Sequence, residues 1–252
     1  MPVFVSGPRH CIVIPVYNHG EALARVLDGL SPAGLTCFLV DDGSDDATRS
    51  LLAGLPGRFP WVVLVTLPRN QGKGAAVKEG LRRAAEAGYT HAVQMDADGQ
   101  HDPGDVPRFV ETSLLHPEAL VLGYPLFGPD APRGRLYGRW VCKLWVWLET
   151  LSFSIRDPLV GFRCYPLTPI LDMMRSEHLG NRMDFDPEAA VRLSWRGVPI
   201  VSIPTRVRYP VGGVSHFRLW ADNWDITRMN TRLFFGLLFR GPSLLIRKCR
   251  KK

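Results

Sequence analysis

Five short apolar runs, each followed by polar or glycine-rich residues and then by a helical pattern, constrain this chain more than any other feature. They occupy residues 11–16, 37–40, 61–66, 92–95 and 120–122. Each is rich in β-branched or aliphatic residues and reads as a buried strand. Between them the period changes to that of helices. Ala22, Leu23, Val26, Leu27 and Leu30 share one helical face, as do Ala76, Val77, Leu81, Ala84 and Ala85. Ser44 is placed to cap a helix running to Leu55, and a further helix is expected over about residues 105–115. Strand–helix alternation of this kind predicts an α/β fold with a mostly parallel sheet and helices on both faces. With 252 residues, 46% of them apolar, the chain suits one large domain, expected over residues 1–210, and a tail over 211–252.

Two of the runs end in acids. The second leads into Asp41-Asp42-Gly43-Ser44-Asp45-Asp46, the fourth into Asp96-Ala97-Asp98-Gly99-Gln100. In an open α/β sheet, ligands bind just beyond the carboxyl ends of the strands. Asp96 and Asp98, with the Gln100 amide oxygen, offer the hard oxygen donors that Mg²⁺ or Mn²⁺ takes. An acidic turn uses the same residue types. Asp41 or Asp42 could accept from a nucleobase N–H, or serve only to shape the turn.

Gly72-Lys73-Gly74 is not a nucleotide-binding P-loop. That motif needs a glycine where Leu67 stands and a Ser or Thr where Gly74 stands. What remains is a glycine-rich helix start suited to an anion, with Lys73 either a ligand or a solvated first-turn residue.

Composition excludes other classes. The five cysteines are scattered without a C-x-x-C pair, which argues against a disulfide framework or zinc site and fits a reducing cytoplasm. No secretory signal peptide and no spanning helix are expected. The net charge of +7 could face nucleic acid, an anionic membrane or a phosphorylated substrate. No motif that docks bases accompanies it, so nucleic acid is not an expected partner.

Pro15-Val16-Tyr17-Asn18, Asp41-Asp42-Gly43-Ser44, Asn70-Gln71-Gly72-Lys73-Gly74 and Asp96-Ala97-Asp98-Gly99-Gln100 occur in the order and spacing of family 2 glycosyltransferases. The chain most resembles their dolichol- or polyprenol-phosphate mannosyltransferase branch, from about residue 11 to 209. The resemblance implies a Rossmann-like GT-A fold and an inverting, metal-dependent transfer from a UDP- or GDP-linked sugar to a lipid-linked acceptor. Carried over by position, Pro15, Tyr17, Asp41, Asp42, Lys73, Asp96 and Ala97 would bind the nucleotide sugar. Asp96, Asp98 and Gln100 would hold Mg²⁺ or Mn²⁺ and the diphosphate. Arg163, in the Asp157-to-Arg163 segment, would bind an acceptor phosphate or pair with Asp157. A hydroxyl acceptor would need a carboxylate base, for which Glu188 and Asp186 stand nearest the family's position. The chain departs from the branch at His19, where an acid is usual, and at His216, where a lysine is usual. His216 could still touch a phosphate. Sugar nucleotidyl transfer and a non-catalytic nucleotide-sugar- or membrane-binding domain are the alternatives.

Two helices are unusual. Residues 132–153 are apolar nearly all round and rich in tryptophan, with arginines at the start, which suits either deep burial or contact with lipid. The tail is expected to place Phe217, Trp220, Trp224, Met229, Leu233 and Leu237 near one side, with apolar helical character stopping at Gly241-Pro242 before a basic end. That pattern suits a peripheral anchor on an anionic membrane, on its cytoplasmic face, or a helix packed on the core.

Overall fold

The computed structural model describes residues 7–126, 133–207 and 218–249. A seven-stranded sheet runs through it. Its strands are β1 (His10–Val16), β2 (Cys37–Asp41), β3 (Val62–Thr66), β4 (His91–Gln94), β5 (Leu120–Leu126), β6 (Arg163–Pro166) and β7 (Ile200–Arg206). The helices are α1 (Gly20–Leu30), α2 (Asp46–Arg58), α3 (Lys73–Glu86), α4 (Val106–Leu115), α5 (Arg133–Thr150), α6 (Leu167–Ser176), α7 (Phe185–Trp195) and α8 (Leu219–Cys249).

The strand order is β3-β2-β1-β4-β6-β5-β7. The first four strands are parallel, β6 is antiparallel to both its neighbours, and β5 pairs in parallel with β7. The mostly parallel, doubly covered sheet is therefore the observed architecture. β1 and β2 are buried along their whole length because helices cover both faces. β1 sends Cys11 and Val13 into one core and Ile12 and Ile14 into the other. The chain builds outward from β1 through β2 to β3, then returns to lay β4 on the opposite side of β1. That reversal opens a crevice at the carboxyl ends of β1 and β4.

Three local expectations change. Asp45, not Ser44, caps α2, accepting from the Thr48 N–H at 2.8 Å. Ser44 is drawn away, its Oγ accepting from the Asn18 N–H at 3.0 Å. The tail is one 31-residue helix that continues through Pro242, rather than ending there. It also has two apolar sides instead of one. Met229, Leu233, Leu237 and Leu244 are buried in the core beside Trp195, whereas Trp220 and Trp224 face away. α5 resolves the choice between burial and exposure by doing both. Cys142, Val146 and Thr150 are buried, while Trp140, Val141, Leu144, Trp145 and Leu148 are exposed.

Candidate active site

A cleft of about 810 Å³ opens at the carboxyl ends of β1, β2 and β4. Pro15, Tyr17, Asp42, Lys73, Asp96, Ala97, Asp98 and Gln100 all line it, together with His19. Four separate sequence segments thus converge on one hollow because parallel strands deliver their following loops to the same sheet edge.

Hydrogen bonds to main-chain groups fix the loops. The two Asp42 oxygens accept from the N–H groups of Gln71 and Gly72 at 2.7 and 2.8 Å, tying the β2 turn to the start of α3. Gly72 has φ 103°, and a Cβ there would overlap the Asn181 carbonyl. Only glycine allows both this left-handed conformation and this close approach. Asp41 lies one layer deeper and is fully buried. One of its oxygens accepts from the Ser44 N–H at 2.9 Å. The other has no hydrogen-bond donor and lies 3.8 Å from the Arg49 guanidinium.

The charged centre is built on Lys73. Its ammonium lies 2.7 Å from Asp96 and 2.9 Å from Asp186, bridging the loop after β4 to the first turn of α7. Burial alone would lower the lysine's pKa, but Asp186 and Asp96 together hold it above the ordinary range. The first-turn lysine is therefore a half-buried ion-pair bridge in the cleft wall. The Asp96 carboxylate rests against Gly161, where a Cβ would overlap it. Asp98 accepts from the Gln100 N–H at 3.0 Å. Burial, then the neighbouring Asp96, raises the Asp98 carboxyl above its usual range. His101 Nε2 stands 4.0 Å from Asp96.

No group of three His, Cys, Asp or Glu side chains gathers to hold a metal among the described residues. The two carboxylates nevertheless fit Mg²⁺ or Mn²⁺. Such an ion needs only one or two protein carboxylates, taking water and substrate phosphate oxygens for the rest. Asp96 and Asp98 would supply that pair, and their mutual repulsion is the kind a divalent cation relieves.

Three expected site residues serve other purposes. Arg163 is fully buried. Its guanidinium donates to the carbonyls of Pro158, Val160 and Asp186 at 2.6 to 3.1 Å and to the Tyr165 hydroxyl at 3.3 Å. It reaches neither solvent nor Asp157, so it frames the site instead of meeting an acceptor. Asp157 pairs with Arg139 at 2.7 Å. Glu188 is also fully buried. It accepts from the Gly180 N–H at 2.9 Å, from Arg192 at 2.8 Å and from Arg232 at 2.8 and 2.9 Å, which binds α7 to α8. A carboxylate so fully engaged is not placed to take a substrate proton. Asp186 lies beneath Lys73 and is held by Gln94 at 3.1 Å. Burial would raise its pKa, but Lys73 and then Arg163 hold it below the usual range, which makes it a weak base. His216 lies outside the described residues. Arg139, Arg182 and Arg218 complete the cleft rim. No sequence pattern marks Arg182 or Arg218 as lining the cleft, whereas Arg139 belongs to the arginine cluster that opens the tryptophan-rich helix.

The sequence model described as glycosyl transferase family 2 matches residues 11–179. The chain belongs to glycosyl transferase family 2. Two curated relatives illustrate the similarity. Over 210 residues the chain is 29% identical to the undecaprenyl-phosphate mannosyltransferase of Micrococcus luteus, spanning 78% of this chain and 82% of that one. Over 214 residues it is 28% identical to the UDP-N-acetylglucosamine–dolichyl-phosphate N-acetylglucosaminyltransferase of Methanococcus voltae, spanning 79% and 85%. The fold matches the mannosyltransferase PcManGT from Pyrobaculum calidifontis, solved with GDP-Man and Mn²⁺. The TM-score is 0.58 at 14% identity, covering 98% of this chain and 81% of that one. It also matches S. aureus TarS solved with UDP-GlcNAc, at TM-score 0.58 and 12% identity, covering 89% and 66%. This family 2 glycosyltransferase therefore has the GT-A architecture.

Proposed function

We propose that the enzyme transfers a hexosyl group, with inversion, from a UDP- or GDP-linked sugar to a polyprenyl-phosphate-type lipid at a membrane surface. Pro15 and Tyr17 at the end of β1 would flank the nucleotide, with Asp41 buried behind them and holding the turn that carries Asp42. Asp96 and Asp98 would hold Mg²⁺ or Mn²⁺, which when bound offsets negative charge developing on the departing diphosphate. Lys73 holds Asp96 in place and adds positive charge beside it.

The observation that carries the choice of acceptor is the state of the acids lining the cleft. Asp42 is bonded to two main-chain N–H groups, and Asp96 to Lys73. Asp222 is bonded to Arg218, and Asp98 faces Asp96. With Asp98 and Asp96 given to the metal, none of the four would be left to act as a general base. A lipid phosphate needs no base. Its oxygen attacks the anomeric carbon from the face opposite the diphosphate, the C1–O bond to the diphosphate breaks, and the electron pair leaves on that oxygen. No proton moves. Arg139 and Arg218 at the rim would meet the acceptor's charge by exchanging their present partners, Asp157 and Asp222, for its phosphate. The relatives named for undecaprenyl and dolichyl phosphates support this choice.

Titration with UDP- and GDP-sugars, with Mn²⁺ or with chelator, tests the reading. One donor class is expected to bind only with metal, and Asp98→Ala to abolish that dependence. Transfer should then proceed to a polyprenyl phosphate and not to the corresponding alcohol. Binding of no donor, or equal transfer to the alcohol, would overturn it.

A further inference from the structure

α5 and α8 each carry a second apolar face that the core does not use. On α5, Trp140, Val141, Leu144, Trp145 and Leu148 are exposed, and Phe153 just beyond it is 75% exposed. On α8, positions 220, 224, 228, 231, 235, 238, 242 and 245 follow one another three or four apart. They read Trp, Trp, Arg, Thr, Phe, Leu, Pro and Leu, without an acid. Trp220, Trp224 and Phe239 are 87%, 69% and 86% exposed. This is not a misplaced core stripe, because the opposite side of α8 already buries Met229, Leu233, Leu237 and Leu244.

The two faces meet. Trp145 of α5 packs edge-on against Phe234 of α8, with ring centroids 6.1 Å apart. A shallow groove of about 190 Å³ runs along Val141, Leu144, Trp145 and Leu148. Both helices also reach the cleft, since Arg139 of α5 and Asp222 of α8 line it. One aromatic surface therefore adjoins the mouth of the site. Contiguous exposed apolar area of this kind marks an interaction surface.

We propose that this joint α5–α8 face docks on an anionic bilayer surface, with the cleft opening at its edge so that an acceptor phosphate enters without leaving the membrane. The last clause rests on the lipid-acceptor reading above; the docking face does not. Charge and side-chain chemistry select the bilayer over a protein partner. Lys143 stands over the rings of Trp140 and Trp147, 4.9 Å from each centroid. Arg228 lies within the α8 stripe, and the sequence after the helix is Arg250-Lys251-Lys252. Tryptophan bodies with cationic neighbours suit the headgroup layer, where rings reach acyl chains while charges meet lipid phosphates. Among the described residues no helix is long and apolar enough to cross a membrane, so the face lies on the bilayer rather than through it.

The test is co-sedimentation of the full chain with vesicles of phosphatidylcholine, with or without phosphatidylglycerol. It would compare wild type with Trp220→Ser/Trp224→Ser/Phe239→Ser and with Leu144→Ser/Leu148→Ser. Wild type is expected to bind the anionic vesicles at least about tenfold more tightly, with salt sensitivity and a blue-shifted tryptophan emission. Both variants should lose most of that binding, keep their melting temperature and bind donor sugar in solution like wild type. Unchanged vesicle binding in the variants would overturn the proposal. So would a wild-type dimer that the same substitutions dissolve, which would give the face to a second copy. A protein that binds vesicles but no donor would leave the docking face standing and remove the transferase reading.

Discussion

Replacing Glu188 separates catalysis from architecture. Its carboxylate is fully buried and accepts from the Gly180 N–H, Arg192 and Arg232. In Glu188→Gln, Arg232 loses its counter-charge, Arg192 keeps only Glu177, and one oxygen acceptor becomes an amide donor pointed at other donors. Breaking one partner of a buried ion-pair cluster costs about 3–5 kcal/mol. Arg232 is 40% exposed and recovers part of its hydration, so the lower end, about 3 kcal/mol, is expected. For a chain of this size each kcal/mol is worth roughly 2–4 °C in melting temperature. Differential scanning fluorimetry should therefore show a fall of about 6–12 °C. Turnover measured well below the melting transition should stay within about threefold of wild type, because no substrate proton passes through this group. A variant with unchanged melting temperature whose turnover collapses would refute the reasoning and restore Glu188 as a general base.

Further outcomes follow from single residues. Burial, with a smaller contribution from Glu188, lifts the Glu149 carboxyl from 4.5 to about 8, and neither of its oxygens has a hydrogen-bond partner. From pH 4.5 to about 8 the folded state keeps a proton that the unfolded state has released, so stability falls as pH rises through this window. Glu149→Gln should flatten that slope and be the more stable protein above about pH 8, by on the order of a few kcal/mol; parallel pH–melting curves for the two proteins would contradict this. Gly161→Ala places a methyl group against the Asp96 carboxylate. With strain of about 1–3 kcal/mol at a group proposed to hold the metal, metal-dependent donor binding should weaken by about tenfold or more. Wild-type affinity in a folded Gly161→Ala protein would show that Asp96 is free to move.

The amino-acid sequence by itself determined five of the seven strands, the helices between them, and the convergence of Pro15, Asp42, Lys73, Asp96 and Asp98. These follow from local signals: short β-branched runs, a change of period, and acids or glycines at strand ends. Parallel topology then carries every such strand end to one edge. Partnership between charges was decided only in three dimensions. β6 is a four-residue strand whose pattern is too short to stand out, yet it carries Arg163 into register with Gln94. That burial removes the guanidinium from any acceptor. Glu188 stands at the position of a candidate base, but α8, 44 positions further on, lays Arg232 across it. Lys73 became a bridge only because α7 places Asp186 opposite Asp96. Apolar periodicity likewise shows that a helix has an apolar side. Only packing decides which side is buried, and on α5 and α8 a second apolar side remains exposed. Hydrophobic burial is local in pattern, whereas the pairing of a buried charge depends on groups brought together from distant parts of the chain.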